Sequence, residues 1–221
     1  MVIDRSPRSL VSHPVYSTEA IRLDGEEIMS RVPLQDPQTA TGRTKEVFDR
    51  VAAHYGMVPT LQRAMAPLPE VTDALWTLSV ATMKEGSLPE ELKRAFFAVT
   101  AAAGECDYCV AAHMLALRRS FRWSNDECVE IIDGRPSSRL SAKANAALDF
   151  ARTVARRPAE VTDEAVENLR KHGWSDAEIV EMVTTVALLK YTSTVATALN
   201  VPFEKIMLPM LKKPPFAKPA G

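Results

Sequence analysis

An all-α helical bundle is the fold class this sequence predicts, and three observations carry it. Apolar residues recur at helical spacing in almost every segment between turn residues. Helix start signals, a Ser or Thr followed by acidic residues, return along the whole chain. No alternating apolar and polar run is long enough to commit to a sheet.

Taken in order, residues 1–28 read as an N-terminal arm, because Pro7, Pro14 and scattered polar residues show no period; the arm is expected to be extended or poorly ordered. A helical domain follows over residues 29–208. Its first helix opens at Thr41-Gly42, carries Val47, Phe48, Val51 and Ala52 on one face, and stops at Gly56 and Pro59. Pro69-Glu70 introduces a second, with Val71, Leu75, Leu78 and Ala81 as its expected inner stripe. Leu88-Pro89-Glu90-Glu91 starts a third, with proline early and acids favourable to the helix dipole. A break at Gly104 precedes a helix beginning between Gly104 and Asp107. Ser124 to Glu127 caps a short helix ending at Gly134, and residues 141–157 form an amphipathic helix with Ala144, Leu148, Ala151 and Val154 inside. Thr162-Asp163-Glu164 and Ser175-Asp176-Ala177-Glu178 start two more, and residues 179–199 are apolar enough to be central or to form a subunit contact. Residues 209–221 form a proline-rich tail.

With 27 basic and 28 acidic side chains in 221 residues, the charge nearly cancels, which argues against a nucleic-acid footprint or an anionic-membrane partner. No apolar run reads as long enough to cross a membrane, and the first residues lack a secretory signal's apolar stretch. The expected location is cytoplasmic, where a CxxC pair is more often catalytic than structural.

Reactive side chains concentrate in Glu105-Cys106-Asp107-Tyr108-Cys109-Val110-Ala111-Ala112-His113. On a helix, the i, i+3 and i, i+4 spacings put both thiols and the imidazole on one face. Only a thiolate attacks a peroxide or disulfide, and an imidazole one turn away can accept the proton, so His113 should activate Cys109. The helix dipole favours Cys106 instead, and spacing does not rank the two. Structural zinc needs a fourth ligand, whereas Cys128 stands without a partner motif; haem attachment needs histidine where Val110 stands. No metal and no cofactor is expected. Tyr108 reads as packing or as a donor near the site.

Pro89-Glu90-Glu91-Leu92-Lys93-Arg94, followed by an apolar-alanine helix and then Cys106 to His113, resembles the alkylhydroperoxidase D-like, peroxidase-related branch of the carboxymuconolactone decarboxylase family. Similar segments run from Val32-Pro33 through Tyr55-Gly56-Met57-Val58-Pro59 to Trp174-Ser175-Asp176 and Val195 to Val201. The resemblance implies an alkylhydroperoxidase D-like helical bundle that assembles as a homo-oligomer, a trimer or a dimer-based hexamer. It implies a thiol-dependent peroxidase or disulfide reductase, with a hydroperoxide substrate and an external dithiol reductant. Carried over, Cys109 would be oxidised to sulfenic acid, Cys106 would resolve it and donate a proton, and His113 would belong to the relay. The family usually has a glutamate where this chain has Arg94, with Glu91 and Glu105 as other acids near the motif. Arg94 can lower a thiol pKa by its charge. Two other readings stay open: a helical oligomer whose dithiol only senses redox state, and a lactone decarboxylase that needs no cysteine pair.

Overall fold

The computed structural model describes residues 29–208 in full, and within the arm the backbone of Tyr16–Ser17, Ile21–Leu23 and Glu26–Ile28. The tail over 209–221 and the rest of the arm lie outside the described residues. The helices are α1 (Gly42–Tyr55), α2 (Thr60–Met65), α3 (Pro69–Lys84), α4 (Glu90–Ala103), α5 (Asp107–Phe121), α6 (Asn125–Ile132), α7 (Ala142–Arg156), α8 (Asp163–Lys171) and α9 (Asp176–Leu199). The fold is all-α, as the periodicity predicts. Tyr16–Ser17 pairs antiparallel with Leu34–Gln35, and Ile21–Leu23 with Glu26–Ile28. Strands of two or three residues are too short to show a period, so the sequence held no sign of them.

The start signals act as caps. Ser124 and Ser175 each accept the amide of the acid three residues on, and Glu127 and Glu178 return a bond to the cap amide. Ser141 and Thr162 cap α7 and α8 through the Ala144 and Ala165 amides. Two features depart from the sequence reading. Helix α2 is unforeseen, its six residues being too few for a pattern to emerge. On α3, Leu75 is buried as expected, but Val71, Leu78 and Ala81 are exposed, and Thr72 and Trp76 are buried in their place. The cause is Trp76, which clusters with Val47 and Val51 of α1 and rotates the inner face toward that helix.

Helix α4 is the centre of the bundle, packed against α5, α7 and α9. Ala95, Phe96, Ala98 and Ala101 on it are fully buried, the alanines letting neighbouring helices approach while Phe96 fills the space between them. By length and hydropathy α9 is long and apolar enough to cross a membrane, which the sequence reading did not anticipate. In the fold its Met182, Val186 and Leu189 lie in the core.

A buried ion pair ties α9 to α4. Lys93, 1% exposed, places Nζ 2.6 Å from Glu181 Oε1 and donates to the carbonyls of Thr82 and Glu85 at 2.9 and 2.5 Å. Glu181 also accepts the amides of Ser87 and Leu88. Gly86, at φ +87°, crosses so close to the Glu181 carboxylate that a Cβ there would collide with it.

Candidate active site at the dithiol

The corner between α4 and α5 presents the thiols. Gly104 ends α4, and Glu105 takes the left-handed conformation at φ +51°, which few non-glycine residues adopt. The turn is closed by the Cys106 amide donating to Ala101 O at 3.0 Å and the Glu105 amide donating to Ala102 O at 3.2 Å. It delivers Cys106 to the N-cap of α5, with Cys109 one turn in. Both cysteines are buried and unpaired, and both belong to the central core cluster.

The two thiols are driven apart in acidity. Cys106 is lowered to about 7, chiefly by a hydrogen bond from the Cys109 thiol, opposed by burial and helped by the Thr197 hydroxyl and the Cys109 amide. No ordinary side-chain cap bond forms at this N-terminus, so that amide acts as an oriented dipole. Cys109 is raised by the same thiol contact and then by burial, with the charges of Cys106 and Glu204 adding to it. The pair therefore behaves as one coupled unit in which Cys106 ionises and Cys109 keeps the proton.

The other sequence-expected residues divide. His113, one turn beyond Cys109, lies 4.8 Å from Phe97 between ring centroids and is pushed down to about 3 by burial and by the charge of Arg94. It is neutral at working pH. Arg94 ion-pairs with Glu90 at 3.2 Å, and its charge reaches His113. Glu91 leaves the site: its Oε1 accepts Trp123 Nε1 at 2.6 Å and Arg139 Nε at 2.9 Å, near the far end of α5. Thirteen residues of helix separate it from Gly104, about 20 Å at 1.5 Å per residue. Glu105 stays, as a wall of the cavity beside Cys106. Cys128 is fully buried and raised to about 12 by desolvation, so it is inert.

A cavity of about 180 Å³ opens onto Cys106, walled by Glu105, Tyr108, Thr197, Asn200 and Phe203. Thr197 also borders a neighbouring cavity of about 330 Å³ that includes Thr100, Lys190 and Ser193. Among the described residues no group of three or more His, Cys, Asp or Glu side chains is placed to hold a metal ion.

Two residues of the site were missed by sequence reasoning, Thr197 and Glu204. The Tyr108 hydroxyl donates to Glu204 Oε1 at 2.7 Å, and the Thr60 amide donates to the same oxygen at 2.8 Å. The signal was a lone acid in the apolar run Val201-Pro202-Phe203-Glu204, ahead of Ile206-Met207-Leu208.

Residues 69–153, which span α3 to most of α7 and include the dithiol, match the model of the carboxymuconolactone decarboxylase family. That stretch, 85 of the 221 residues, is similar to the carboxymuconolactone decarboxylase family. No curated protein matches it. Among solved structures it is similar to an uncharacterized peroxidase-related protein of Ralstonia eutropha JMP134 described as an alkylhydroperoxidase AhpD core. That likeness has 23% identity and a TM-score of 0.73, covering 80% of this chain and 94% of that one. A peroxidase-related protein of Silicibacter sp. TM1040 is 26% identical at a TM-score of 0.69, over 79% of this chain and 90% of that one. The debrominase Bmp8, solved in complex with 2,3,4-tribromopyrrole, shares the fold at 18% identity and a TM-score of 0.68, over 88% of this chain and 98% of that one.

Burial first, and then the charge of Arg94, hold the His113 imidazole neutral, whereas an acid in place of Arg94 would favour its charged form. His113→Ala is therefore expected to leave the pH midpoint of Cys106 alkylation in place while costing about 1–2 kcal/mol of stability from lost packing on Phe97. Alkylation rates against pH, with the modified peptide identified by mass spectrometry, check this. An upward shift of the midpoint would return His113 to the role its spacing suggests.

Proposed function

We propose that this chain is a thiol-dependent peroxidase that reduces small hydroperoxides with the Cys106–Cys109 pair and is recycled by an external dithiol. The observation that carries this reading is the placement of an acidic, reduced thiol, Cys106, on the wall of a cavity with a second thiol one helical turn behind it. The match of residues 69–153 to the family model and the peroxidase-related neighbours support an enzyme of this kind.

The geometry favours Cys106 as the attacking thiol, the reverse of the assignment that the resemblance implies. The Cys106 thiolate attacks the terminal oxygen of ROOH; the O–O bond breaks, leaving Cys106 as sulfenic acid and RO⁻, which takes a proton to become the alcohol. The Cys109 sulfur then attacks the Cys106 sulfur, the S–S bond forms, and hydroxide leaves as water with the Cys109 proton. An external dithiol reduces the disulfide by exchange through a mixed disulfide. A cytosolic setting would provide such a dithiol. Exposed Leu68 at the start of α3, Val71 and Leu78 on it, and Val180, Val183 and Tyr191 on α9 support assembly as a homo-oligomer.

The test is peroxide consumption coupled to a dithiol such as dihydrolipoamide, with turnover expected and a Cys106–Cys109 disulfide found in the spent enzyme. Disulfide formation without turnover would point to the redox-sensing reading, and peroxide loss with both thiols still reduced would overturn the dithiol mechanism. The pH dependence follows from the lowered Cys106 thiol. Thiolate is present above about pH 7 and lost below it, so the first oxidation is expected to slow about tenfold between pH 8 and pH 6. Stopped-flow rates with hydrogen peroxide across that range check it.

A further inference from the structure

Glu204 is 6% exposed, and only one of its carboxylate oxygens is used: Oε1 accepts from Tyr108 and Thr60, while Oε2 is buried with no hydrogen-bond partner among the described residues. A buried carboxylate normally satisfies both oxygens, so the second one calls for an explanation. The segment that holds it follows α9 and also supplies Phe203, a wall of the cavity at Cys106. Its bonded partner, Tyr108, lies between the two cysteines in the chain and forms another wall of that cavity. The titratable groups that face Glu204 are both on α5: Tyr108, which is hydrogen-bonded to it, and Cys109, which its charge reaches; α2 presents the Thr60 amide, and the adjacent Lys205 is exposed.

We infer that Glu204 is the proton-holding residue of the dithiol, taking up the proton that Cys109 releases as it closes on oxidised Cys106. The inference rests on the proposed reading in one respect, that Cys106 is oxidised first and Cys109 resolves it. During closure the Cys109–S bond to Cys106 forms, the group carried by Cys106 leaves with its electron pair, and the Cys109 proton passes to the carboxylate and then to solvent. On reduction the proton returns. Tyr108, kept protonated by burial and by the Glu204 charge, fixes the carboxylate in place. Arg94, which stands where the family usually has an acid, cannot accept a proton, and His113 is held neutral beside it.

The test uses the full chain with Cys128→Ser, so that two thiols remain, and two oxidants. One is hydrogen peroxide; the other is diamide, whose N=N bond adds the Cys106 thiolate and leaves as the hydrazine when Cys109 attacks. Closure is timed by acid quench and mass spectrometry of the Cys106–Cys109 peptide. Glu204→Gln keeps an acceptor for Tyr108 and Thr60, and is expected to slow closure at pH 7 about a hundredfold with both oxidants. It should leave the first adduct on Cys106 within about twofold, and the lost rate should recover at high pH as Cys109 ionises unaided. Closure at the wild-type rate in a folded Glu204→Gln protein overturns the inference. Should that variant not fold, Tyr108→Phe removes the hydroxyl that fixes the carboxylate in place, and closure at pH 7 is expected to slow about tenfold with both oxidants; an unchanged closure rate overturns the inference equally. Failure of peroxide alone, with diamide closure still dependent on Glu204, would sink the peroxidase reading and leave this inference standing.

Discussion

Cys106→Ser is expected to abolish peroxide reduction, lowering the second-order rate by about a thousandfold or more, whereas Cys109→Ser should oxidise once and stop. The asymmetry follows from the two environments. Cys106 faces the cavity and is lowered to about 7, while Cys109 lies behind it, raised by its contact with Cys106 and by burial. In Cys109→Ser, a hydroxyl replaces the thiol as donor to Cys106, so the sulfenic acid still forms and is trapped by a dione reagent. Without a resolving thiol it does not close, and turnover with the external dithiol falls. Burst amplitude and trapped adduct, measured side by side for both variants, decide the order. A trapped sulfenic acid in Cys106→Ser, with none in Cys109→Ser, would restore Cys109 as the attacking thiol.

Lys93→Ala is expected to cost about 3–5 kcal/mol of stability, the largest effect of any single substitution away from the dithiol. Lys93 is 1% exposed, and its loss leaves the Glu181 carboxylate, 14% exposed, without its cation. It also strips the Thr82 and Glu85 carbonyls of a donor. The Ser87 and Leu88 amides still bind Glu181, so part of the loop at Gly86 survives. For a domain of this size the loss corresponds to a fall in Tm of roughly 10 °C. Urea unfolding at constant m-value measures it. A loss under about 1 kcal/mol would mean that water reaches the pair and screens it.

Much of the bundle was legible because helix signals are local. Ser124, Ser141, Thr162 and Ser175 cap the helices they were expected to cap, and Gly104 breaks the chain just before the thiols. The face of α3 was not legible, because Trp76 chooses its side by packing on α1, and that choice depends on a helix more than twenty positions away. Helix α2 was missed for a different reason, since one and a half turns leave no periodic trace.

For the site, the sequence by itself determined that two thiols and an imidazole share one helix, since 3.6 residues per turn makes spacing equivalent to proximity. It also determined the corner, through Gly104 and the residues that start α5. Which thiol ionises turns chiefly on the hydrogen bond between the two, which the CxxC spacing allows in either direction, and then on burial and on Thr197 of α9, which only the tertiary structure supplies. The same holds for His113, which burial and then the charge of Arg94 on the neighbouring helix keep neutral, and for Glu91, which the antiparallel run of α4 and α5 carries to the opposite end. Glu204 reaches Tyr108 across 96 positions of chain. Electrostatics acts through space, so an acid that distant becomes part of the site only when the fold folds its segment back over α5.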